Sequence, residues 1–169
     1  ILHHRSIIGK LDAPRVHAKL EEMLKQAKTQ AKRLRALWAL HVTGGLKAKS
    51  GARLVELLSH SDEYVRAWSI QFLCEDKKPS SKALNKFNDM AKSEKSPVVR
   101  LYLAAALQRL PFEQRWSILE ALAAHEEDVE DHNIPRMLWL ALEPMVPENQ
   151  AKALTLAVSS KMPKLQEFV

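Results

Sequence analysis

Apolar residues recur at intervals of three and four along most of the chain, which places them on one face of successive helices. That period predicts helices over residues 13–27, 30–43, 49–59, 63–75, 80–93, 97–109, 112–125, 134–146 and 148–160. The residues between them carry boundary chemistry. Ser96 before Pro97 reads as an N-cap followed by a proline in the first turn, where the missing N–H does no harm. Asp12 before Pro14 and Asn133 before Pro135 are similar. Gly44 and Gly45 stop the helix that holds Trp38, and Pro111 ends the one that holds Tyr102. Connections are short except for the acidic stretch from Glu126 to Asp131. Runs of alternating Val, Ile and Thr that would predict strands are missing, so the expected class is all-α.

A longer period overlies the helical one. Four apolar helices begin in the same way, with Arg35-Ala-Leu-Trp38, Arg66-Ala-Trp68, Arg100-Leu-Tyr102 and Arg136-Met-Leu-Trp139. Their arginines are 31, 34 and 36 residues apart, and Arg5 lies a further 30 residues upstream of Arg35. A two-helix unit of this length with short turns predicts a solenoid of the right-handed α-α superhelix type, about four helix pairs long. Residues 1–169 then form one repeat domain, with residues 1–12 as the tail of a preceding repeat. Helices apolar nearly all round need neighbours on both sides, which suits the inner layer of a stack. An arginine in such a layer needs acceptors, so Arg35, Arg66, Arg100 and Arg136 are expected to form an inter-repeat structural ladder. Asp62, four residues before Arg66, and carbonyls at the ends of adjacent helices are the candidate acceptors. Trp38, Trp68, Tyr102 and Trp139 are expected in the repeat core, with a row of ligand-binding residues as the other reading.

Composition adds a polarity. The 169 residues carry a net charge of +6, but residues 1–50 hold eleven Lys/Arg against three Asp/Glu, whereas residues 111–169 hold five against ten. A basic end of this kind steers acidic partners. Lys25, Lys28, Lys32 and Arg33 are the candidate acidic-partner surface; a solvated helix face is the alternative. Nucleic acid is the second functional reading, and the acidic last third weakens it, because a phosphate groove gains affinity by running over several repeats. The single cysteine, Cys74, excludes an internal disulfide and is expected to pack as a small apolar residue. No apolar run approaches the roughly 18 residues of a membrane span.

Little in the chain suggests chemistry. His3 and His4 lack a third ligand nearby, and His125 and His132 flank an acidic loop without the glycine that tight cation loops use. His41 and His60 fall near helix C-termini, where a partly protonated imidazole suits the dipole. Nucleophile-elbow, phosphate-loop and dinucleotide fingerprints do not occur. The expectation is a protein without catalytic residues, bound metal or cofactor.

The run from Asp62 through Val65, Arg66 and Ala67 to Leu73, with its echoes, resembles the HEAT repeat. The phrases around Arg35, Arg66 and Trp139, and the stretch from Ser96 to Pro111, are together similar to the HEAT region of large bacterial proteins. Those proteins also carry a membrane-bound-dehydrogenase-like (sorbosone-dehydrogenase-like) β-propeller and a cytochrome c haem domain. The resemblance runs from about Arg33 to the C-terminus. It implies a connecting scaffold that contacts flanking domains or another protein, with any redox chemistry in the other domains. It also implies an exported parent protein. The haem-attachment motif is absent from this sequence, so no haem ligand carries over. An isolated fragment of this kind is expected to be a monomer.

Overall fold

The computed structural model describes residues 12–46 and 51–168, and among them it contains ten α-helices and no strand. They are α1 (Ala13–Gln26), α2 (Gln30–Val42), α3 (Ala52–Leu57), α4 (Glu63–Leu73), α5 (Ser81–Ser93), α6 (Pro97–Leu107), α7 (Phe112–Ala123), α8 (Ile134–Leu142), α9 (Gln150–Ser159) and α10 (Pro163–Phe168). Short 3-10 turns cover Glu126–Asp128 and Glu143–Met145. The all-α class is thus observed. Nine of the helices fall where the apolar period places them, and α10 was not anticipated, being only six residues long with Leu165 as its buried anchor. His3, His4, Arg5 and all but Asp12 of the expected tail of a preceding repeat at residues 1–12 lie outside the described residues.

The boundaries follow local chemistry. The side chains of Asp12, Ser80, Ser96 and Asn149 each accept from a first-turn backbone N–H, of Arg15, Ala83, Val99 and Lys152 respectively, filling donors that a helix start leaves open. After α2 the chain turns through Gly44 at φ +83°, a conformation in which an L side chain is strained. Gly45 is required for another reason: a Cβ there would stand 2.9 Å from Leu40 Cδ2 and 3.1 Å from the His17 ring. His17 Nε2 in turn lies 3.0 Å from Thr43 Oγ1, which donates to the Ala39 carbonyl, so α1 is tied to the end of α2.

The chain divides into two compact units, residues 1–72 and 73–169. In the first, α1 packs along α2 through a core that includes Leu24, Leu37 and Leu40. Arg53 of α3 grips the Glu21 carboxylate of α1 at 3.2 and 2.8 Å. In the second, the helices fall into two layers. One holds α5 against α7; the other holds α6 against α8 and α8 against α10. Phe87, Leu103, Leu107, Ile118, Leu119, Leu138 and Leu142 fill the space between, each fully buried. Burying each large side chain of this kind contributes roughly 1.5–3 kcal/mol before entropy is subtracted. No helix among the described residues is long and apolar enough to cross a membrane.

Candidate functional site

Four of the helices share a common first-turn geometry. The first backbone bonds of α2, α4, α6 and α8 run from Arg33 to Thr29, Arg66 to Asp62, Arg100 to Ser96 and Met137 to Asn133. The arginine that recurs at this fourth position is therefore Arg33, Arg66 or Arg100, and the last repeat has Met137. Arg35 and Arg136 do not belong to the row. Arg35 lies two residues past the position and Arg136 one before it, and at 100° per residue each points away from the buried side of its helix. Both are exposed. Arg33, expected on a basic surface, belongs to the row: its side chain is only 21% exposed, and its Nε lies 3.4 Å from the Asp62 carboxylate.

Asp62 consequently serves the arginine of the helix pair before it, not the Arg66 that follows it by four residues. Asp62 also caps α4, accepting from the N–H groups of Tyr64 and Val65. Arg66 donates to the carbonyls of His60 and Ser61. Arg100 repeats both contacts in tighter form. Its Nε and Nη2 hold the two oxygens of Asp128 at 2.5 Å each, and Nη1 donates to the Glu94 carbonyl at 2.8 Å. Arg100 and Asp128 are each 1% exposed. The hydrogen bonds to Asp128 raise the Arg100 pKa above its ordinary value. The two clasps span 29 residues from Arg33 to Asp62 and 28 from Arg100 to Asp128.

Arg115 is a buried cation that the sequence reading missed. Among the described residues no carboxylate pairs with it; Nε, Nη1 and Nη2 donate to the carbonyls of Leu110, Ala141 and Gln108 at 2.9, 3.0 and 3.4 Å. These acceptors lie at the C-terminal ends of α6 and α8, where helix dipoles present negative charge. The guanidinium also lies 4.7 Å from the centre of the Phe112 ring. Burial lowers its pKa below the ordinary arginine value. Its signal in sequence was weak, because it follows no repeat spacing.

The four aromatic residues are not core. Trp38 is 38% exposed, and Trp68, Tyr102 and Trp139 are half-buried. Trp68, Tyr102 and Trp139 share the sixth position after the helix start, and Arg35 occupies that position in α2. In the first unit Trp38 meets Trp68 edge-on at 5.1 Å, Trp68 meets Phe72 at 5.5 Å, and His41 stacks on Phe72 at 3.7 Å. In the second, Trp139 lies 5.4 Å from Phe168. These rings form partly open rows on the helix surface. A shallow hollow of about 190 Å³ lies beside Leu154, Ala157, Val158 and Gln166.

The remaining titratable groups have structural duties. Cys74 is buried, and burial pushes its thiol pKa up to about 12, far from a nucleophile's range. His125 bridges the Ala91 carbonyl at 2.7 Å and the Glu127 carboxylate at 2.9 Å. Among the described residues no three His, Cys, Asp or Glu side chains are grouped as a metal ion would need.

His60 departs from the dipole expectation. Burial, followed by the nearby cations Arg33, Arg53 and Arg66, lowers its pKa below the ordinary 6.5, against the pull of Asp62. The Asp62 N–H donates to Nδ1 at 3.0 Å, which requires that nitrogen to keep its lone pair. A depressed folded pKa makes the neutral ring part of the native state. Its contribution is therefore complete above the unfolded value near 6.5 and is lost as pH falls through the lower folded value. Urea unfolding of residues 12–72, followed through Trp38 and Trp68, is expected to shift to lower urea between about pH 7 and pH 5. His60→Asn, which keeps an acceptor but does not titrate, should flatten that dependence; an unchanged slope would place the sensitivity elsewhere.

Compared with known proteins, the sequence matches no family model, no curated protein and no solved structure.

Proposed function

We propose that the chain is a HEAT-like α-α superhelix that acts as a non-catalytic scaffold, holding flanking domains of its own polypeptide or another protein. The observation that carries this reading is the recurrence of the arginine clasp at one helical register. Arg33 with Asp62, and Arg100 with Asp128, each join an apolar helix to the turn between the two helices of the following pair. The two clasps begin 67 residues apart, two repeat lengths, and contacts of this kind suit a stack of like units, in which each unit buries its apolar side only against its neighbour. The layers of the second unit, α5 on α7 and α6 on α8, support the same arrangement.

Buried arginines and a buried thiol serve packing, which favours a mechanical role over a chemical one. The acidic balance of residues 111–169 argues against a phosphate groove along the chain. In the bacterial multidomain context that the sequence resemblance implies, a propeller and a haem domain would carry the redox chemistry and this chain would connect them.

Small-angle scattering tests the reading. A compact domain of this length has a radius of gyration of about 15–16 Å, whereas a stack of helix pairs should exceed about 18 Å. A value at the compact figure would overturn the superhelix and the scaffold role with it.

A further inference from the structure

We propose that the outward stripe of α2 is a docking surface for an acidic amphipathic helix of a protein partner. The proposal rests on the scaffold reading and adds the class of partner.

Lys32, Arg35, Trp38 and Val42 fall within about a third of the circumference of α2 at helical spacing. All four are exposed, with Val42 at 44%. Lys25, near the end of α1, and Lys28, in the turn before α2, are also exposed and extend the cationic end. Among the described residues none of Lys25, Lys28, Lys32 and Arg35 pairs with a carboxylate, and no Asp or Glu occurs from Met23 to Leu46. Thr29 makes no side-chain cap, so the positive end of the α2 dipole adds to the same field. Asp62 is committed to Arg33, close to the inner layer.

At the sixth position α4, α6 and α8 place an aromatic ring, and α2 alone of these four places the cation Arg35. The α2 stripe therefore runs from positive charge at its N-terminal half to apolar surface, Trp38 and Val42, at its C-terminal half. Tryptophan and arginine are the residues on which protein interfaces most often concentrate their affinity, with lysines at the rim. The complementary ligand is a helix with carboxylates at one end and large apolar side chains at the other. A nucleic acid fits less well. Four cations neutralise few phosphates, and a phosphate backbone has no use for Val42.

The test titrates a fluorescein-labelled, helix-forming 18-mer with glutamates in its first two turns and leucines in its last two. The comparison ligands are its lysine-for-glutamate counterpart, polyglutamate and oligothymidylate. The acidic amphipathic 18-mer is expected to bind, more weakly as salt rises. Lys32→Glu/Arg35→Glu should weaken it at least about tenfold, and Val42→Glu severalfold. These side chains are exposed, so the circular dichroism and thermal midpoint of the variants should match the parent. Absence of binding, indifference to the variants, or equal binding of polyglutamate would overturn the proposal, and preference for oligothymidylate would replace it with a nucleic-acid surface. Scattering on the same samples separates the two readings. An elongated particle that ignores the 18-mer sinks only the partner class, whereas a compact particle sinks the scaffold.

Discussion

Asp128→Ala is expected to destabilise residues 73–169 by roughly 3–5 kcal/mol, the largest effect expected of a single polar substitution among the described residues. The reason is the asymmetry of a buried ion pair. With the carboxylate present, Arg100 has both of its forked donors filled at 2.5 Å; without it, a guanidinium 1% exposed keeps its desolvation cost and loses its partner. Glu127 lies 3.4 Å from Arg100 but is mostly exposed, so it recovers little. Removing both charges with Arg100→Met/Asp128→Leu should restore most of the loss, because apolar residues of similar volume leave no buried charge unpaired and only the part-buried Glu94 carbonyl loses a donor. Urea unfolding followed by Trp116 and Trp139 fluorescence, in a Trp38→Phe/Trp68→Phe background, reports this unit separately. A single-variant cost below about 1 kcal/mol would show that the clasp does not hold the helix pairs together.

Arg115→Ala should follow, at roughly 2–4 kcal/mol in the same measurement. Three carbonyls at the ends of α6 and α8 would lose their donors where water reaches poorly, since Arg115 is 7% exposed, and a cavity would open beside Phe112. Arg115→Lys separates charge from geometry. An ammonium can satisfy some of these carbonyls but cannot span three with a planar fork, so less than half of the stability should return. Full rescue by lysine would mean that the field of the helix ends, not the fork, holds the site together.

Much of the helix pattern was legible in the residues because its causes are local. Asp12, Ser96 and the Gly44–Gly45 pair act within a few residues of themselves, and the three-to-four spacing of apolar residues survives any arrangement of neighbours. The six-residue α10 escaped, since a single buried leucine is too little for a period to register. The arginine row was only partly legible. Aligning each arginine on the aromatic that follows it placed Arg35 and Arg136 in the row, whereas the helix starts at Thr29 and Asn133 place Arg33 and Met137 there. An offset of one or two residues is small in sequence and large on a helix, where it turns a side chain through 100° or 200°.

The order of residues was enough to establish an all-α chain, the buried cysteine and the unbalanced charge, because each depends on composition or short-range geometry. Which arginine meets which carboxylate, that Arg115 rests on carbonyls alone, that burial lowers the His60 pKa, and that the tryptophans lie partly open were settled by tertiary packing. These properties depend on groups some 26 to 29 residues apart, or on the water excluded around a side chain. A helix period says which face is apolar; only a neighbouring helix decides how much of that face is covered.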